Sequence, residues 1–187
     1  MNDKELRSWL EQATLGDESA FQLVYEATHQ DVYRTVAFLV YDKQDVEDIV
    51  NEVYMRMWRS FHQYDANRPF RFWLHGITIH LVQDWKRKAW RRIRLFERNR
   101  QMACEPFNWT DKAFLQSEMQ HELFGLVRQL SYKLRVVVIL RYFHDYDLEE
   151  IADILQIPVG TVKSRHHRAL HELRKRIEMT GGNEYVY

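Results

Sequence analysis

Glycine and proline are scarce in this chain of 187 residues: six and three. Strands joined by tight turns consume both, so the scarcity points to an all-helical protein. Cysteine is rarer still. Cys104 stands alone, which excludes a disulfide framework and a cysteine-rich zinc site and fits a reducing cytoplasm. A lone thiol can serve as a redox switch, but it is more often idle. Long apolar runs are missing too. "VAFLVY" and "VVVIL" fall far short of the ~20 residues that span a bilayer. The opening "MNDKELRSWLEQ" is charged and carries no signal-like apolar core. A soluble chain is expected, one that reaches a membrane only through a partner. Catalytic signatures are absent as well. There is no phosphate-cradling glycine loop and no nucleophile elbow. His121-Glu122 and His171-Glu172 each lack the second histidine of a zinc-protease helix. His167 and His171 stand four apart, a spacing that can hold zinc, but both lie in a basic segment where contact with phosphate or a base is the simpler reading. No metal, cofactor or enzymatic activity is expected.

Net charge is also missing: 27 basic residues balance 27 acidic ones. The average hides blocks. Residues 42–52 hold five acids against one lysine, and residues 86–100 hold eight bases against one acid. Residues 145–153 hold five acids and no base, and residues 163–176 hold six bases against one acid. Acidic and basic blocks alternate twice. That order implies two modules, each meeting two kinds of partner.

Apolar spacing supports two modules. Phe21, Val24, Thr28, Val32, Val36 and Leu39 recur at helical intervals after the break at Gly16-Asp17. A second helix follows through Val46, Ile49, Val50, Val53, Met57 and Phe61. "QYDANRPF" reads as a loop, with Pro69 suited to the first turn of a third helix. That helix carries Phe72, Trp73, Ile77, Leu81 and Trp85 into the basic block; Trp73 shares a face with Ile77 and Leu81 and reads as core. The periodicity fails across 99–112, a linker, and resumes near Ala113. The expected organisation is two small helical domains, 1–98 and 113–180, with a tail at 181–187.

"LEEIADILQIPVGTVKSRHHRAL" has the makeup of a helix-turn-helix. Ile151, Ala152, Leu155, Ile157 and Val162 pack its two helices across a Pro-Val-Gly turn, with Gly160 at the start of the second helix and Thr161 near its cap. The N-terminal half of the second helix enters the major groove in this arrangement. Lys163, Ser164, Arg165, His167 and Arg168 lie there, and such side chains suit guanine edges and phosphates. Upstream, "NRPFRFWLHGITIHLVQDWKRKAWRR" interleaves aromatics with bases, a pattern for single-stranded or melted DNA. Asp45, Glu47, Asp48 and Glu52 would repel phosphates and suit a basic protein partner.

Taken together, "GDESAFQLVYEATHQDVY", "DVEDIVNEVYMRMW", "FRFWLHGITIHLVQDWKRK" and "LRVVVILRYFHDYDLEEIADILQIPVGTVKSRHHRALHELRK" resemble a bacterial sigma factor of the extracytoplasmic-function (ECF, group 4) type. The resemblance implies that the first domain corresponds to sigma region 2 and the second to region 4. It implies docking of Asp45, Asp48, Asn51, Glu52, Met55 and Trp58 on the coiled coil of the largest subunit of core RNA polymerase. The loop Tyr64 to Phe70, with Asn67 and Arg68, would capture a base flipped from the melted −10 element. His80, Asp84, Lys86, Arg87 and Lys88 would line the strand path. Thr161, Lys163, Ser164, Arg165, His167 and Arg168 would read the −35 element. An anti-sigma factor, in this family often membrane-anchored, is the further partner implied. Three positions depart from the family pattern. His80 replaces an asparagine, Asn51 a glutamine, and Ser131 a proline; Ser131 is expected to cap its helix. A conventional helix-turn-helix regulator binding duplex operator DNA is the competing reading. It explains residues 147–177 but not the acidic helix or the aromatic-basic segment.

Overall fold

The computed structural model describes residues 3–65, 67–96 and 118–179, and within them the side chains other than those at 3–5, 7, 92–96 and 118–122. Every element among the described residues is helical. The chain divides into two compact units, one in Met1–Phe107 and one in Asn108–Tyr187. The predicted linker and the start of the second domain near Ala113 lie outside the described residues.

The first unit holds α1 (Asp3–Thr14), α2 (Glu18–Leu39), α3 (Lys43–Arg59), a 3-10 turn (Phe61–Gln63) and α4 (Phe70–Phe96). The reading of the sequence gave no helix for α1. Its signal is nevertheless present: Leu6, Leu10 and Ala13, at helical intervals, are buried. Between α1 and α2, Gly16 takes φ +92, a backbone shape that a side chain would strain. Asp17 then caps α2, its carboxylate accepting from Ser19 N and Ala20 N. Asp42 caps α3 in the same way, through Gln44 N and Asp45 N. Phe61, read as the last apolar position of α3, falls in the 3-10 turn that follows.

Val24, Val32, Val36 and Leu39 of α2 meet Val46, Val50, Val53 and Met57 of α3 and Leu74, Ile79 and Val82 of α4 in one core. Each such side chain contributes about 1.5–3 kcal/mol by leaving water. Two polar links fix the helices against one another. Thr28 Oγ1 and the Tyr54 hydroxyl are 3.0 Å apart, and burial pushes the Tyr54 phenol well above its usual range, so it stays protonated. Asp31 of α2 receives Arg71 at 2.7 Å and the buried His75 at 3.1 Å, both from α4. One carboxylate thus anchors the first two turns of α4.

The second unit holds α5 (Glu118–Arg128), α6 (Tyr132–Tyr142), α7 (Leu148–Leu155) and α8 (Val159–Met179). Leu130, Leu134, Val138, Ala169 and Leu173 form a core that Leu126 and Val127 of α5 cover. Ser131 occupies the N-cap position of α6, but its side chain makes no capping bond, so the expected cap is positional only. The turn between α7 and α8 also sits earlier than the Pro-Val-Gly reading. Gln156 turns the chain at φ 52, its N–H bonding to Ala152 O and Asp153 O, and Ile157 N reaches Ala152 O. Val159 is already helical, Gly160 stands at the start of α8 as expected, and Thr161 lies in the first turn with its N–H on Pro158 O instead of at the cap. Ile151, Ala152, Leu155 and Val162 are buried as expected, and Ile157 is half-buried.

Candidate nucleic-acid and protein interfaces

Helix α3 buries Val46, Ile49, Val50, Val53, Tyr54 and Met57. The face opposite therefore has to carry what lies between them. Asp48, Asn51, Glu52 and Met55 are all exposed, at the three- and four-residue spacing that puts side chains in one stripe. Asp45 is half-buried at the head of the helix. Trp58 closes the stripe, 43% exposed, with its other side held edge-on by Phe21 at 5.0 Å. The result is a carboxylate-rich ridge ending in an apolar plate.

The loop after α3 is built on rings. Tyr64 packs at 5.9 Å from Phe61, 5.5 Å from Phe70 and 5.3 Å from Trp73. Phe70 is buried at the base of this cluster, so it supports the loop and has no open face for a base. Trp73 is only half-buried and belongs to the same cluster, which refines its reading as plain core. The Tyr64 hydroxyl donates to Arg68 O at 2.8 Å, and Arg68 N returns to Asp65 O at 3.0 Å. The Asp65 carboxylate accepts from both Asn67 N and Asn67 Nδ2, each at 2.9 Å. Arg68 sets its guanidinium over Phe72 at 5.6 Å. Asn67 and Arg68 are thus exposed on a loop with little freedom. Phe61 was read only as a helix position and Asp65 was not singled out in the sequence, although Asp two residues before Asn is an Asx-turn signal.

Along α4, Trp73, Ile77, His80, Asp84 and Arg87 fall on one stripe leading away from the loop. His80 and Asp84 are half-buried, and Asp84 pairs with Arg87. Lys88 and Arg91 are exposed beside them and Trp90 is 64% exposed. Lys86 lies about 140° round the helix from this line, towards its far side.

In the second unit, Val162, Ala169 and Leu173 turn one face of α8 inward. Lys163, Ser164, His167 and Arg168 are all exposed on the face away from it. Arg165 and Thr161 are half-buried on its flank. Arg168 is steadied by Glu172 at 3.1 Å. The acidic block of 145–153 proves largely structural. Asp147 accepts from Glu150 N at 2.7 Å and Glu150 accepts from Asp147 N at 2.8 Å, a reciprocal cap on α7. Glu149 reaches Lys163 at 3.7 Å. Three of the five acids therefore serve the helix pair itself, which weakens the expectation of a second partner-facing acidic surface.

Comparison with known proteins agrees with this layout. Residues 24–92 match the model of Sigma-70 region 2, and residues 120–173 match Sigma-70 region 4. The chain is 32% identical over 173 residues to the ECF RNA polymerase sigma factor SigX of Bacillus subtilis (strain 168), covering 87% of this chain and 86% of that protein. SigW of the same organism is 28% identical over 181 residues, with 92% and 96% covered. Among solved structures, Bartonella quintana RpoE, crystallised with the anti-sigma factor NepR, aligns with a TM-score of 0.71 at 20% identity, over 84% of this chain and 96% of that one. CnrH, in complex with the cytosolic domain of CnrY, aligns at 0.66 and 20% identity, over 94% and 98%. At these identities the structural likeness speaks for the fold. With both regions matched in order and a relative spanning nearly the whole chain, this protein belongs to the ECF RNA polymerase sigma factors.

Proposed function

We propose that the two modules divide promoter recognition between them. The first, residues 1–98, binds core RNA polymerase and holds the melted −10 element. The second, residues 113–180, reads the −35 element as duplex, and residues 99–112 link the two. The observation that carries the proposal is the opposition of charge within the first unit. Helix α3 presents Asp48, Asn51 and Glu52, while α4 presents Arg87, Lys88 and Arg91 beyond the aromatic loop. DNA phosphates would be repelled by the first surface and drawn to the second. The carboxylate ridge therefore docks on a basic protein surface, the coiled coil of the largest polymerase subunit, with Met55 and Trp58 adding apolar contact and Asp45 at its edge.

Asn67 and Arg68 meet an extruded base, supported by Tyr64 and Phe70, and His80, Asp84, Arg87 and Lys88 guide the strand, with Lys86 reaching it from the far side of α4. Lys163, Ser164, His167 and Arg168 face the major groove, and Thr161 and Arg165 flank them. The role is regulatory and non-enzymatic, and it is exercised in the cytoplasm. No helix of the described residues is long and apolar enough to cross a membrane. RpoE and CnrH were each solved with a protein partner, which supports control of this chain by an anti-sigma factor, one that a membrane anchor could tether.

The test is transcription in vitro with purified core polymerase, with and without the protein, on a fragmented genomic library. New transcripts sharing two upstream motifs are expected. No new transcripts, with tight duplex binding by the protein alone, would establish the conventional operator-binding regulator instead.

A further inference from the structure

Asn67 is exposed at the tip of the aromatic loop, and its side-chain amide is not free to turn. An amide offers one acceptor and two N–H donors, and flipping it exchanges them. The carboxylate of Asp65 can only accept, so the nitrogen must face it. Nδ2 does so at 2.9 Å, with the backbone N–H of Asn67 on the same oxygen at the same distance. That leaves Asn67 Oδ1 directed away from Asp65, with no partner among the described residues. The turn that carries both groups is closed twice, by Arg68 N on Asp65 O and by the Tyr64 hydroxyl on Arg68 O. The Tyr64 ring is in turn fixed by Phe61, Phe70 and Trp73. The orientation of one amide is thus set by a chain of contacts reaching into the module's core.

We propose that Asp65 is a specificity-determining positioning residue: it holds the Asn67 amide so that Oδ1 faces the base taken from the melted strand, favouring a base edge that bears an exocyclic amine. Adenine and cytosine set that donor beside an acceptor ring nitrogen, which the remaining Nδ2 hydrogen can serve, whereas the amine of guanine stands beside a ring N–H, a second donor. In the register that serves those two bases, thymine sets an exocyclic carbonyl against Oδ1, acceptor to acceptor. This inference rests on the reading of the loop as the −10 site, and it adds the class of base selected and the residue that selects it.

The experiment uses holoenzyme reconstituted from core polymerase and the full chain. Fork-junction DNAs differ only in the base at each single-stranded −10 position, and binding is followed by fluorescence. At one position the unaltered protein is expected to prefer adenine or cytosine to thymine by about tenfold, within the range of one good base contact. Asp65→Asn keeps the shape but supplies a group that both donates and accepts, so the amide can turn. It is expected to reduce that preference to about twofold, while binding to a −35 duplex and the melting temperature stay unchanged. Asn67→Ala should abolish the same preference. Fork binding with a base preference that Asp65→Asn leaves intact would overturn this inference alone. Failure of the unaltered holoenzyme to bind any fork would overturn the −10 reading, and the inference with it.

Discussion

The Tyr142 hydroxyl lies 2.9 Å from Nε2 of His166, and the two rings stack at 5.7 Å with 25° between their planes. The contact joins the end of α6 to the helix proposed to read DNA. Burial, then the charges of Arg141 and His167, hold the His166 imidazole below its ordinary pKa. The folded state therefore takes up this proton less readily than the unfolded chain does. The sign follows: the stability linked to His166 is complete above about pH 6.5, the unfolded value, and declines as pH falls below it until the folded pKa is passed. Burial lowers His29 as well, which acts in the same direction. The melting temperature should thus fall between pH 7.5 and pH 5.5, and His166→Gln should flatten part of that fall. A ring titration of His166 by NMR at or above the ordinary histidine value would contradict this account.

Charge reversal on α3 tests the docking ridge. Asp48 is exposed, and among the described residues no cap or ion pair depends on it. Asp48→Lys should leave the stability within about 0.5 kcal/mol of the unaltered protein. Affinity for core polymerase should drop by at least about tenfold, since like charges opposed at an interface cost several kcal/mol. Unchanged affinity in a fluorescence titration would remove Asp48 from the interface.

Two residues of α8 separate base reading from phosphate holding. Lys163 is exposed and paired with Glu149 at 3.7 Å, a solvent-screened contact that DNA can displace. Lys163→Ala should weaken duplex binding evenly across sequences and lower the salt slope by about one. Arg165 sits half-buried on the flank. Arg165→Ala should cost about 1–3 kcal/mol at one preferred base pair and relax the preference there. Equal loss on every duplex would assign Arg165 to the backbone.

Much of this organisation is legible in the residues. The core stripes of α2 and α3 follow the 3.6-residue period, because burial of a helix face imposes it. Asp17 and Asp42 are start signals that work as caps. What could not be read depends on contacts between segments distant in sequence. Arg71 and His75 meet Asp31 across 40 and 44 positions of sequence, and no local pattern announces that. Phe70 and Trp73 illustrate the same limit. Composition places aromatics near DNA-facing bases, but packing decides that Phe70 is buried and Trp73 half-open. Pro-Val-Gly looks like a breaker, yet the chain turns just ahead of it. Proline instead opens the helix, and Gln156 accepts the left-handed conformation.

The acidic block of the second unit yields the last prediction. Its charge invites assignment to a protein partner, yet Asp147 and Glu150 satisfy each other's backbone N–H groups at the start of α7. An eight-residue helix has few internal hydrogen bonds, so two satisfied end donors matter more to it than to a long one. Asp147→Ala should cost the second unit about 1 kcal/mol, the usual loss for a helix cap. Asp147→Asn keeps the accepting oxygen and should recover most of it. Duplex binding at 25 °C should survive both changes, because Asp147 caps α7 and is no part of the exposed face of α8. Thermal melting of the three proteins decides the matter. If Asp147→Ala melts with the unaltered chain but weakens polymerase binding, the carboxylate serves a partner and not the helix.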